Sequence, residues 1–241
     1  MKLLQAIRNL IPRKAVTATR FISIFNRDFG HGRRHQGLCL DGQGSPIPWI
    51  TYPCLEFLSR LDFSNCSIFE YGSGSSTLWW AQQAKTVRSV ERETDWYTLI
   101  KPKLPANARL ELCADETLYA DTILGAEEDF DVVVIDGAVR FPCARALLPK
   151  LKDRGIIILD NTEWYPNLAT FLRERGFFQI DFCGFGPINA FTSCTSIFFR
   201  DPALLAQRLN TKQWAPIGGR FLSAHDDKAL ERIDPAALQR R

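Results

Sequence analysis

The stretch Ser67-Ile-Phe-Glu-Tyr-Gly-Ser-Gly-Ser-Ser-Thr-Leu78 leaves the chain few folds to choose from. Ser67 to Tyr71 is a short apolar run bounded by turn residues, the form of a strand buried on both faces of a parallel sheet. Gly72 and Gly74 then allow a tight turn in which bare backbone can approach a ligand. Ser75, Ser76 or Thr77 can cap the helix that follows. A strand, a glycine turn and a helix in immediate succession form the opening unit of an α/β sheet that binds its ligand at the turn.

The chain beyond it repeats that unit. Thr86 to Glu91 is a second strand, Leu110 to Leu112 lies in a third, Phe130 to Ile135 is a fourth, and Gly155 to Asp160 reads as a fifth. Between them the apolar residues recur at helical spacing: Trp79 and Trp80 in a first helix, Trp96, Leu99 and Ile100 in a second, Phe141 to Lys152 in a later one, and Leu168 to Arg175 ended by Gly176. Strands alternating with helices predict a Rossmann-like, doubly wound α/β sheet with ligands beyond the carboxyl ends of its strands. Five strand-end acids would gather on that rim: Glu70, Glu91, Asp115, Asp136 and Asp160. Phe177 to Cys183 and Thr195 to Phe199 are joined by too short a link for a crossover helix. They must form an antiparallel hairpin that closes the five parallel strands.

The spacing of the acids carries further information. Glu91 falls 19 residues after Gly72, close to the offset of about 20 at which an acid meets ribose hydroxyls in nucleotide-binding βαβ units. The third glycine that a nicotinamide dinucleotide turn uses is replaced by Thr77, which argues against that cofactor.

The termini differ from the body. Met1 to Gln36 carries eight basic residues against Asp28 alone, while the whole chain is only +3, so the remainder is net acidic. Leu3, Leu4, Ile7, Leu10 and Ile11 predict a short amphipathic helix ended by Pro12, followed by a basic loop in which His31 and His35 are surface residues. Such an arm could dock on the domain or make peripheral contact with an anionic membrane. Gly and Pro residues between Asp41 and Pro53 mark a boundary. The expected organisation is therefore an arm and linker over residues 1–50, a catalytic domain over 51–200, and a helical extension with a charged tail over 201–241. The seven cysteines are scattered without a C-x-x-C pair and read as free thiols in a reducing compartment. With no stretch near the ~20 apolar residues of a membrane span, the expected location is cytoplasmic. A net acidic body also argues against nucleic acid as a partner.

Glu70-x-Gly72-x-Gly74 at a strand end resembles the first motif of class I S-adenosylmethionine-dependent methyltransferases, which usually carry a further glycine where Ser76 stands. The antiparallel closing hairpin fits their seven-stranded sheet, and the resemblance covers roughly Cys54 to Arg200. It implies that Glu70, Gly72, Ser73, Gly74 and Ser76 hold the methionine and sugar parts of the cofactor, that Asp115 meets the adenine amino group, and that Asp136 also touches the cofactor. Val134-Ile-Asp-Gly137 with Leu159-Asp-Asn-Thr-Glu-Trp164 further resembles the cation-dependent O-methyltransferases of the catechol and caffeoyl-CoA type. That likeness implies a divalent ion such as Mg²⁺ on Asp136, Asp160 and Asn161, with Asp136 and Asp160 in the chemistry. Those enzymes place a lysine base where Val139 and Arg140 stand. The implied activity is methyl transfer to a hydroxyl of a small molecule or glycan, with Phe185 and Asn189 of the Gly184 to Ala190 loop as candidate acceptor contacts. A cofactor-binding or interaction protein without turnover and a nicotinamide-dependent oxidoreductase are the alternatives.

Overall fold

The computed structural model describes residues 12–212 and 214–219. A helix α1 (Arg13–Ile24) and a two-stranded ribbon, β1 (Arg34–His35) with β2 (Leu38–Cys39), precede α2 (Tyr52–Leu58). Then come β3 (Ser67–Tyr71), α3 (Ser75–Gln83), β4 (Thr86–Glu91), α4 (Thr94–Ile100), β5 (Ala108–Leu112), α5 (Glu116–Tyr119) and β6 (Phe130–Ile135). The chain continues through α6 (Arg140–Ala146), β7 (Leu151–Leu159), α7 (Pro166–Arg173), β8 (Phe178–Phe185), β9 (Thr192–Phe199) and α8 (Pro202–Arg208).

Seven strands form one sheet in the order β5-β4-β3-β6-β7-β9-β8. The first five are parallel, and β9 is antiparallel to both β7 and β8. This is the α/β sheet expected, five parallel strands closed by a hairpin. Side chains alternate between its two faces because successive residues of a strand point to opposite sides. Ile68, Val132, Val134, Ile156 and Ile158 join Trp80, Leu55 and Leu58 in one core layer. Phe69, Tyr71, Val133, Ile135, Ile157 and Leu159 join Tyr119, Leu147, Leu168 and Leu172 in the other. Each fully buried Ile or Leu stabilises the fold by about 1.5–3 kcal/mol relative to exposure, and this two-sided burial makes β6 and β7 continuous apolar runs. The order reverses between β3 and β6, so the turns leaving those strands open a crevice at the carboxyl rim.

Several boundaries differ from the sequence reading. Arg13 to Ile24, expected as a solvated basic loop, is helical, with the Thr17 and Thr19 hydroxyls donating to the carbonyls four residues back. The Met1 to Ile11 helix lies outside the described residues. His31 is not simply superficial: its Nδ1 lies 3.3 Å from the Tyr52 hydroxyl and its ring stacks edge-on against Phe25. Burial accordingly lowers its pKa. Strand β7 begins at Leu151 rather than Gly155, since Leu151 pairs with Phe130 before a register shift. The closing strands also run longer than expected, leaving only residues 186–191 as the hairpin loop. Among the described residues, no helix is long and apolar enough to cross a membrane.

Candidate active site

The turn after β3 is bare because its surroundings leave no room for side chains. Gly72 has φ +101°, and a Cβ there would lie 3.2 Å from the Asp136 backbone of the neighbouring strand. Gly137, just past β6, is more confined: a Cβ would meet the Tyr119 hydroxyl at 2.3 Å and the Gly72 nitrogen at 2.7 Å. The two turns of the switch point therefore touch backbone to backbone. Above them opens a cavity of about 530 Å³, lined among others by Gly72 to Ser76, Glu91, Trp96, Asp136, Arg140, Asp160 and Asn161. Its volume is within the range of small-molecule sites.

One wall comes from β3, β4 and α4. Glu91, at the end of β4 and buried, accepts from the Ser73 hydroxyl at 2.8 Å and from the Arg92 and Glu93 amides at 2.8 and 3.0 Å. These bonds fix its carboxylate at the cavity while its oxygens keep further lone pairs. Trp96, in the first turn of α4, donates its indole N–H to the Ser73 carbonyl, and its ring faces Gly74, where a Cβ would stand 3.3 Å from it. The ribbon before the domain also contributes, since the Cys39 amide donates to the Ser75 hydroxyl at 2.7 Å and Cys39 lines the cavity.

The opposite wall comes from β6, α6 and β7 and is organised around Arg140. Its guanidinium donates to Asp136 Oδ1 at 3.1 Å, to Asn161 Oδ1 at 3.2 Å, to the Asp160 carbonyl, and to the Gly137 carbonyl at 3.1 Å. It also lies 5.2 Å from the Tyr165 ring centre. Asp160 accepts from the Thr195 hydroxyl at 2.6 Å, a bond that ties the closing hairpin to the site. The chain reaches these positions through two left-handed residues, Val139 at φ 40° and Asn161 at φ 50°. For a β-branched residue that conformation is strained by order 1–3 kcal/mol, a cost that local structure must offset. Burial, and then the neighbouring Asp160, push the Asp136 pKa well up, with Arg140 opposing. Burial also raises Asp160, against the hydrogen bond from Thr195.

The predicted residues thus divide. Gly72, Ser73, Gly74, Ser76, Glu91, Asp136, Asp160 and Asn161 all line the cavity. Glu70 does not: it is fully buried beneath the turn, where Oε2 accepts from the Thr77 and Ser89 hydroxyls and Oε1 has no partner. Burial lifts its pKa to about 6. Asp115 is exposed and caps α5, accepting from the Thr117 amide and hydroxyl. Phe185 packs against Phe25 and His31 instead of the cavity, whereas Asn189 lines it and accepts from the Trp49 indole at 3.0 Å.

A divalent ion does not fit these donors. The cation that Asp136 and Asn161 share is the Arg140 guanidinium, and Asp160 is engaged by Thr195. Among the described residues no cluster of three or more His, Cys, Asp or Glu could hold a metal ion. Sequence reasoning missed Arg140 as an organiser of the site, and with it Trp96, Trp164 and Phe191. Only Arg140 had a signal, as the cation standing near the place of the expected lysine.

No family model and no curated protein matches the sequence. Solved structures do share the fold, and they include methyltransferases. One is a precorrin-6y C5,15-methyltransferase from Geobacter metallireducens GS-15, 18% identical, covering 60% of this chain and 86% of that one with a TM-score of 0.49. Another is an rRNA methylase from Streptococcus thermophilus, 14% identical, covering 64% and 100% with a TM-score of 0.48. A third, from Streptococcus mutans and solved in complex with SAH, is 16% identical and covers 59% and 93% with a TM-score of 0.46. At these identities the likeness is one of fold. The names span acceptors as unlike as a precorrin and an rRNA, so the expected exclusion of nucleic acid gains no support.

Proposed function

We propose that this chain is a methyltransferase that takes its methyl group from S-adenosylmethionine and delivers it to a hydroxyl of a small molecule or glycan. The observation that carries the reading is the two-walled cavity at the β3/β6 switch point, with a hydroxyl-accepting carboxylate on one side and a carboxylate pair on the other. The first wall fits the cofactor. Glu91 presents lone pairs suited to a vicinal diol, Gly72 to Ser76 presents bare backbone, and the slot between Gly74 and Trp96 would be filled by a Cβ. When bound, the cofactor supplies an electrophilic methyl on a sulfonium. In that arrangement the chain's own task is alignment and proton removal.

Asp136 suits the second task. Arg140 holds Oδ1, and Oδ2 has no hydrogen-bond partner among the described residues. Its raised pKa makes it a stronger base than an ordinary carboxylate, with Arg140 favouring the ionised form that accepts the acceptor's proton. Asp160, held by Thr195, lies beside it and keeps a second negative charge near the first. At the mouth, Trp49, Trp164 and Phe191 are 47%, 60% and 56% exposed, apolar planes against which an acceptor can lie. The same reading places the protein in the cytoplasm. There, exposed Phe21 and Ile22 on the basic helix α1 are available to an anionic membrane surface.

The test is calorimetric titration with S-adenosylmethionine and with NAD side by side. Saturable binding of the first and none of the second is expected; binding of NAD alone would overturn the assignment. Methyl transfer from labelled cofactor to a panel of hydroxylated acceptors, in excess chelator, then tests the carboxylate base.

A further inference from the structure

Outside the cavity, the described cysteines are mostly solitary and buried, but two are not separate. Cys183 on β8 and Cys194 on β9 are directly opposed in the antiparallel register, and their sulfurs are 2.8 Å apart. Directly opposed residues on antiparallel strands have Cα atoms about 4.5–5.5 Å apart, inside the range a disulfide spans without backbone movement. Cys183 is exposed on the outermost strand of the sheet, whereas Cys194 is buried. We propose that Cys183 and Cys194 are a dithiol site that glutathione disulfide oxidises reversibly to a cross-strand disulfide, with Cys183 as the attacked and attacking thiol and Cys194 as the resolving one.

The order of events follows from exposure. The Cys183 thiolate attacks one sulfur of glutathione disulfide; a Cys183–glutathione bond forms, the glutathione disulfide bond breaks, and one glutathione thiolate leaves. Burial, reinforced by Cys183, raises the Cys194 thiol to about 12, so Cys194 is a poor first nucleophile and gives up its proton to the departing thiolate. The Cys194 sulfur, already in contact, then attacks Cys183 Sγ and expels the second glutathione. Two cysteine thiols are oxidised to one disulfide, one glutathione disulfide is reduced to two glutathiones, and the two protons end on those products. In a reducing compartment the pair rests as the dithiol.

The site is coupled to the cavity by position. Thr195, the next residue, donates to Asp160 and accepts from the Thr51 amide, while the Cys194 amide donates to Glu163 Oε2 at 3.0 Å. Closing the strand pair covalently therefore acts one residue from the hydroxyl that holds a carboxylate of the site.

The experiment incubates the reduced full chain with glutathione disulfide, quenches with an alkylating reagent, and maps peptides by mass spectrometry without reduction. Expected is a linked pair of peptides carrying Cys183 and Cys194, lost again in excess reduced glutathione. Cys194→Ser should accumulate a glutathione adduct on Cys183 that the wild type does not retain, and Cys183→Ser should give neither product at this hairpin. A wild-type chain that keeps the adduct on Cys183, or in which both cysteines are alkylated after equilibration with glutathione disulfide alone, would overturn the proposal.

Discussion

The two walls of the cavity are made in different ways. The β3–β4 wall is assembled by the chain near itself: Ser73, Gly74, Glu91 and Trp96 belong to one βαβ unit, and its principal bonds run between a turn and the next strand end. On the β6–β7 side, a single buried guanidinium gathers two strand ends, and a hydroxyl from the closing hairpin completes the set. One wall is local backbone with a carboxylate fixed over it; the other is a long-range charge cluster. A local wall can lose one contact and keep its shape, whereas a cluster that shares a cation stands or falls as a unit.

That contrast is broken most forcefully at Arg140. Arg140→Ala leaves Asp136 and Asp160 buried without their cation, and chemical denaturation should show a loss of about 3–5 kcal/mol. A loss below about 1 kcal/mol would mean that the cluster is held by its backbone after all. On the local wall, Glu91→Ala should weaken S-adenosylmethionine by roughly 1.5–3 kcal/mol, the worth of hydrogen bonds to a charged acceptor, while asparagine or glutamine at Asp136 should leave cofactor affinity within a few-fold. Calorimetry on both variants separates the walls, and equal losses would merge them.

Glu70 sharpens the comparison through pH. Its folded pKa of about 6 lies above the ordinary 4.5, so the protonated acid is the form the fold favours. Its contribution is fully present below about 4.5 and is lost as pH rises through about 6, by about 2 kcal/mol. Asp136 and Asp160 shift in the same direction, so the discriminating measurement is Glu70→Gln: stability against pH should flatten over that window and cofactor affinity at neutral pH should hold. An unchanged pH profile would remove Glu70 as the source. The smallest effect is expected at Gly74→Ala, whose Cβ would press on the Trp96 ring at 3.3 Å. The ring can give by a few tenths of an ångström, so a several-fold loss of cofactor affinity with little change in unfolding midpoint is the expected result, below that of Glu91→Ala.

Legibility in the sequence followed the same division. Strands β3, β4 and β6 were readable because burial on both faces leaves an uninterrupted apolar run, and Glu91 was readable because its distance from the glycine turn is set by one helix and one strand. Asp136 and Asp160 could be found as strand-end acids, but the cation between them could not, since nothing local links Arg140 to Asn161. Trp96 was read as a core residue of α4; its fold-back onto Gly74 depends on where α4 crosses the rim. Asp115 shows the opposite failure, a strand-end acid whose side chain is used by its own helix cap. Helix α1 was misread because its charge suggested solvent, although threonine back-bonding and length support a helix there.

The contact between Gly72 and Gly137 has a consequence for how such a protein could change its work. With no side chain between the two turns, the spacing of the donor floor from the acceptor floor is a property of the main chain, and no ordinary substitution can tune it. On the proposed reading, reach and angle of methyl delivery are inherited with the sheet, and new acceptors are accessible only through the outer ring of Trp49, Trp164, Asn189 and Phe191. Diversification at that ring would alter what is methylated while leaving how it is methylated untouched.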